Sequence, residues 1–144
     1  MTVPPDPPDP LAAGVRGADE LHVLLDDSAL VAAGRGNALA SRLIDRAHSA
    51  EAGRWYLYTS ACALVSADRE RRGTGRHVAA LPAVVVVPLD LAAALDVMAS
   101  DDWSLPHTRY VAQPSVDLPD GAIVATARPD LWRGQPVRVL DITP

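Results

Sequence analysis

The sequence predicts an α/β domain, a three-layer α/β/α sandwich around a five-stranded and largely parallel sheet. Three observations carry this. From Glu20 onward, short apolar runs of strand character alternate with stretches of helical periodicity. The run Leu21-His22-Val23-Leu24-Leu25 is apolar enough to be the buried central strand of a parallel sheet. The run Val84-Val85-Val86-Val87 reads as a second strand, buried on both faces.

Taken in order, residues 1–19 are rich in Pro, Asp and Gly and include Pro4-Pro5-Asp6-Pro7-Pro8-Asp9-Pro10. Repeated proline removes the backbone donors that helices and sheets need, so this part is expected to be an extended, flexible tail before a domain at 20–144. A ligand for a proline-recognising domain is the functional alternative, but the interspersed Asp dilutes that motif and favours a solvated start. The first strand is expected at 21–26, then a short helix at 29–33 broken by Gly34 and Gly36. Asn37 should cap a helix reaching about residue 50, with Leu39, Leu43, Ile44 and Ala47 on one face and Gly53 as its stop. A strand follows at 55–59, then a helix capped by Ser60 and running to about residue 71. Gly73 and Gly75 interrupt the chain before a brief helix at 76–81. After the valine strand, Asp90 should cap a helix at 91–100, and a second short helix is expected at 106–112. The last two strands are expected at 122–126 and 137–142.

Composition narrows the function classes. The chain has 144 residues, room for one domain with a real core. The longest apolar stretch, 81–89, is too short to span a bilayer, and the N-terminus lacks a basic start and apolar core of the secretory type, so a cytoplasmic protein without membrane attachment is expected. The single Cys62 precludes an internal disulfide and a thiolate metal cage. All 13 basic residues are Arg, which excludes any mechanism that needs a lysine. A net charge of −5 argues against strong non-specific binding of nucleic acid by the domain as a whole, while leaving room for a local basic patch.

The most informative chemistry is Asp26-Asp27-Ser28, directly after the first strand. Ligands of parallel sheets gather beyond the strands' carboxyl ends, and two adjacent carboxylates there repel unless water or a cation offsets them. A hard divalent cation accepts oxygen ligands and retains several waters, so a few acids from the same sheet edge would suffice. Asp90, Thr126 and Arg128 follow later strands, Asp68 and Glu70 lie on the helix after the second strand, and Asp101 and Asp102 precede His107. Asp90 is best read as a helix cap. The adjacent acids do not fit the spaced pair of haloacid dehalogenase-like phosphatases, and receiver domains, which carry a comparable acidic pair, need a lysine. There is no glycine-rich phosphate loop, no GxSxG and no HExxH, and the four His residues are scattered. Arg69, Arg71, Arg72, Arg76 and His77 form the densest basic stretch, read first as a solvated helix end and second as a phosphate contact. Trp55, Tyr56, Tyr58, Trp103, Tyr110 and Trp132 must supply part of the core, because there is no Phe.

Four stretches together resemble PIN domains. Leu24-Leu25-Asp26-Asp27-Ser28-Ala29-Leu30 resembles the family's opening of strand, Asp, small polar residues and helix. Thr59-Ser60-Ala61-Cys62-Ala63-Leu64 is similar to its strand-to-helix junction. His77-Val78-Ala79-Ala80-Leu81-Pro82 and Ala125-Thr126-Ala127-Arg128-Pro129 are similar to segments of small PIN-like proteins from GC-rich bacteria. The resemblance covers most of 20–144. It implies the fold of Mg²⁺- or Mn²⁺-dependent ribonucleases, many of them toxins of toxin–antitoxin pairs and many of them homodimers, in which carboxylates hold a metal that activates water against a phosphodiester. It further implies three partners: RNA, an antitoxin-like protein and a second copy of the chain.

The implied acidic positions transfer unevenly. The first falls on Asp26. The second falls near Ser66, with Glu70 one turn, about 6 Å, further along the helix. The third falls near His107, with Asp102 upstream. The fourth falls on Arg128, a cation. The resemblance thus implies metal ligands at Asp26, Asp27 and Asp102, catalytic carboxylates at Asp26, Asp102 and Glu70, and phosphate or RNA contacts at Ser28, Arg69, Arg72, Arg76, His107, Thr126 and Arg128. Two functions follow. One is a PIN-like domain that has lost or weakened its nuclease activity and serves as a binding or assembly module. The other is a Mg²⁺- or Mn²⁺-dependent endoribonuclease with a rearranged site. The loss of acids at most positions places the first ahead of the second.

Overall fold

In the computed structural model, residues 20–49 and 54–144 are described. The expected tail at 1–19, the expected stop at Gly53 and the last residue of the helix expected to reach 50 lie outside them. Five strands form one sheet: β1 (Leu21–Leu25), β2 (Trp55–Ser60), β3 (Val84–Val87), β4 (Ile123–Thr126) and β5 (Arg138–Asp141). Their order is β3-β2-β1-β4-β5 and every pairing is parallel. The three-layer α/β/α sandwich with a parallel sheet is therefore the fold.

The alternation of side chains along each strand divides the core in two. Leu21, Val23 and Leu25 of β1, Leu57 of β2 and Ala125 of β4 face helices α1 (Asp27–Gly34), α2 (Ala38–His48), α3 (Ala61–Glu70) and α4 (Thr74–Ala79). Leu24 and Val124 face the other way, toward α6 (Ser104–Ala112) and Trp132. Helix α5 (Leu91–Val97) packs chiefly on α6 rather than on the sheet. The strand β1 is central and buried, as its composition demands.

Four side-chain caps fix where helices begin. Asp26, Asn37, Ser60 and Asp90 accept hydrogen bonds from Ala29, Ala40, Ala63 and Ala93 backbone N–H groups at 2.8, 2.9, 3.1 and 2.8 Å. Each such cap contributes about 1 kcal/mol. The cap at Asp26 starts α1 at Asp27, two residues earlier than the apolar periodicity suggested. Helix α6 likewise starts at Ser104 rather than at Pro106, because proline is tolerated in a helix's first turn.

Two further expectations are corrected: α4 spans Thr74–Ala79, so Gly75 lies inside it rather than interrupting the chain, and the valine strand sits at the sheet's edge. The valine strand is not buried on both faces: β3 is an edge strand, paired only with β2, and Val85 is 53% exposed. Its composition matches a central strand, but the second helical layer does not extend over it.

Candidate functional site

Strand order reverses at β1, with β2 and β3 on one side and β4 and β5 on the other. At such a switch point the loops leaving neighbouring strands diverge and leave a crevice beyond their carboxyl ends. A cavity of about 280 Å³ lies there, lined by Asp26 and Asp27 after β1, Arg128, Leu131 and Trp132 after β4, Ser66 and Glu70 of α3, and Asp102 and Leu105 at the start of α6. The fold thus brings Asp26, Asp27, Glu70, Asp102 and Arg128 to one place, as the sequence suggested. Two roomier clefts, of about 560 and 700 Å³, lie along α1 and α2 and gather fewer acids.

Asp26 is almost fully buried and heavily engaged. Its Oδ1 accepts the Ser28 hydroxyl at 2.6 Å and the Ala29 N–H at 2.8 Å, and its Oδ2 accepts the Trp132 indole N–H at 3.0 Å. Both acceptor positions of Oδ1 are therefore used, and one of Oδ2. Burial pushes its carboxyl above the usual range, and the bonds from Ser28, Thr126, Ala29 and Trp132 only partly oppose this. The residue ties β1, α1 and the 3-10 turn Pro129–Trp132 together.

Asp27 faces the cavity. Its Oδ2 accepts the Ser66 hydroxyl at 3.0 Å and the Arg128 Nη2 at 3.4 Å. The same Arg128 nitrogen lies 3.7 Å from Glu70 Oε2. One guanidinium thus bridges two of the four carboxylates. Asp102 turns a carboxylate oxygen to the Ser104 N–H at 3.0 Å, serving the unpaired start of α6. Among the described residues no three His, Cys, Asp or Glu side chains gather closely enough to hold a metal ion. With Asp26 nearly saturated and a cation between Asp27 and Glu70, the residues do not fit the resident Mg²⁺ or Mn²⁺ that the resemblance implies.

The phosphate contacts suggested by the sequence separate into two groups. Ser28, Thr126 and His107 are buried and belong to the framework rather than to a binding surface. The Ser28 hydroxyl donates to Asp26, accepts the Ala127 N–H at 2.9 Å and lies 3.1 Å from the Thr126 hydroxyl, which accepts the Arg128 N–H at 3.0 Å. These bonds lock the loop after β4 against the start of α1. Arg69, Arg72 and Arg76 are exposed and outside the cavity, and Arg72 lies 4.0 Å from Asp68.

His107 is fully buried, and its Nδ1 accepts the Cys62 N–H at 3.3 Å, so a neutral ring carries its proton on Nε2. Among the described residues that nitrogen makes no hydrogen bond of good geometry, the Pro88 carbonyl being near it but poorly placed. Burial lowers the affinity of His107 for a second proton, against a smaller opposing influence of the Pro88 carbonyl and Asp90. A protonated Nδ1 would also lose its role as acceptor at the start of α3. Burial and, less, Asp102 push the Cys62 thiol up, which disfavours its thiolate. The lowered His107 pKa has a defined sign. Its stabilising share is complete above the ordinary value of 6.5 and is lost as pH falls from there through the lower folded-state value. Urea midpoints should therefore decline as pH falls below the ordinary value of 6.5, and His107→Gln should flatten the decline. An unchanged slope in the variant would contradict it.

Trp132 is the site residue that sequence reasoning missed. Its only signal was a lone Trp just after the turn at Pro129, and core filling was the simpler account. Ser66, noted only where an acid was expected, turns out to hold Asp27. No protein-family model, no curated protein and no solved structure matches the chain. Fold and site together define an all-parallel α/β domain with an arginine-bridged acidic cavity at its switch point.

Proposed function

We propose that the chain is a PIN-like domain that acts as a binding or assembly module in the cytoplasm, with its acidic cavity neutralised by Arg128 and without metal-dependent nuclease activity. The observation that carries this reading is the Arg128 guanidinium between Asp27 and Glu70, at 3.4 and 3.7 Å, beside an Asp26 engaged by three donors. A guanidinium occupies the place where a divalent cation would need open carboxylate oxygens. The four quoted motifs and the all-parallel five-stranded sheet support the PIN-like part of the reading.

Mn²⁺ titration followed by paramagnetic NMR broadening tests it. Wild-type protein should show no localised broadening at residues 24–30, 66–70 or 102 at millimolar metal. Arg128→Ala frees Asp27 and Glu70, and broadening should then emerge at those residues. Its effect on stability should stay below about 1 kcal/mol, because the ion pairs are half exposed. Wild-type broadening centred on the cavity and abolished by Asp26→Ala would overturn the reading in favour of a Mg²⁺- or Mn²⁺-dependent endoribonuclease. Assays on single-stranded RNA would then follow.

A further inference from the structure

Helix α5 is built inside out. Its inward positions, Ala93 and Val97, are small and buried against α6, whereas its large side chains point to solvent: Leu91 is 75%, Leu95 59% and Met98 76% exposed. Met98 is the C-cap residue of α5 and continues its helical turn, and a helix that is apolar on both faces is normally covered on both. Leaving three long aliphatic chains in water on one face forfeits the burial that would otherwise stabilise them, and grouped exposed apolar side chains mark interaction sites.

The spacing says what shape covers them. Leu91, Leu95 and Met98 are separated by four and then three residues, the repeat of a helix–helix seam in which each side chain enters a gap on the facing helix. A convex single-helix ridge of this kind suits another helix better than a strand or an extended peptide.

The charges say which helix. Residues 78–106 contain Asp90, Asp96, Asp101 and Asp102 and no Arg, Lys or His. Among the described residues, Arg109 lies 3.7 Å from Asp96, and Arg128 shares a cavity with Asp102, which leaves Asp101 as an exposed acid beside the seam without a cation against it. A second copy docked by the same face about a two-fold axis would bring acid against acid. A partner with basic residues beside its apolar stripe would meet complementary charge.

We infer that the outer face of α5 is the docking surface for a basic amphipathic helix of a partner protein, which would seat its apolar stripe on Leu91, Leu95 and Met98 with its cations toward the flanking aspartates. The three seam residues do not line the Arg128 cavity, which Asp102 borders, and the test reads peptide binding rather than metal.

Two synthetic helical peptides of about 18 residues serve as probes. Both carry Leu at the seam positions; one has Arg and the other Glu at the flanking positions. Fluorescence anisotropy with the full-length chain should show the Arg peptide binding at least tenfold more tightly than the Glu peptide, with affinity falling as salt is raised. L91S/L95S/M98S should abolish binding while the far-UV circular dichroism spectrum and melting curve stay those of a folded chain. Asp101→Arg, an exposed substitution outside the seam, should weaken the Arg peptide and strengthen the Glu peptide. Equal binding of both peptides, binding that survives the triple substitution, or no binding of either would overturn the inference. So would sedimentation of wild type as a dimer that the triple substitution dissociates, since a second copy would then be the occupant.

Discussion

Asp26→Ala should lower the stability of the domain by about 2–4 kcal/mol, through the lost cap of α1 and the stranded donors it leaves. The carboxylate accepts from Ala29 N–H, the Ser28 hydroxyl and the Trp132 indole at once. Removing it unpairs the first turn of α1 and leaves the buried indole N–H without an acceptor. Asp26→Asn separates the contributions. Its amide oxygen can keep the cap and the Ser28 bond, but its amide nitrogen then meets the Trp132 N–H, donor against donor. The Asn variant should therefore fall between wild type and Ala, and Trp132→Phe should cost less in the Asn background than in wild type. Chemical denaturation of the four chains closes that cycle. Additive losses would mean that the Asp26–Trp132 bond is energetically idle. The pH dependence has a definite sign as well. Because burial raises the Asp26 pKa, the folded state holds its proton more tightly than the unfolded chain. The associated stabilisation is present below the ordinary value of 3.8 and is lost as pH rises through the folded value. The gap between wild type and Asn should thus shift in favour of Asn as pH rises from about 4.

The central strand, its carboxyl-end acids and the helix caps were legible because each is a local matter. An apolar run, a turn-forming polar residue and a periodic helix sit within a few residues of one another, as at Leu25-Asp26-Asp27. The gathering of Asp26, Asp27 and Asp102 at one edge is in keeping with a parallel sheet, which places all strand ends together, whereas Glu70 reaches the cavity from the far end of α3. Three matters were not legible. Strand order is a long-range property, so four consecutive valines looked central although β3 has one neighbour. The use made of each carboxylate depends on groups about a hundred positions away: Trp132 claims Asp26, and Arg128 claims Asp27. Burial at sites such as His107 and Thr126 depends on how α6 and β4 settle against β1 and α3, which no window of sequence contains. The same pattern explains why Arg128 was read both as a departure from an acidic position and as a phosphate contact. Its residue type was visible, and its partners were not.

The end of α6 and the chain entering β4 meet at Gly121, and Gly121→Ala should destabilise the domain by about 3 kcal/mol or more, as a left-handed backbone and an overpacked contact combine. Gly121 has φ +69°, and a Cβ there would press into the Ala112 carbonyl oxygen, which is backbone and cannot rotate away. That carbonyl already accepts the Ala122 N–H at 3.0 Å, coupling the end of α6 to the chain entering β4. Gly134 provides the control: its φ is +76°, but a Cβ there meets nothing within 4 Å. Gly134→Ala should cost only the conformational share, about 1 kcal/mol. The difference between the two urea midpoints measures the contact alone, and equal losses would show that α6 yields without cost. Displacement at this joint reaches the site by a physical route. The start of α6 carries Asp102 and Leu105 into the cavity, while the end of β4 carries Arg128 and Trp132. Surviving folded Gly121→Ala protein should therefore show a shifted Trp132 indole N–H resonance with that of His48 ring protons unmoved, since His48 lies on α2, away from the joint.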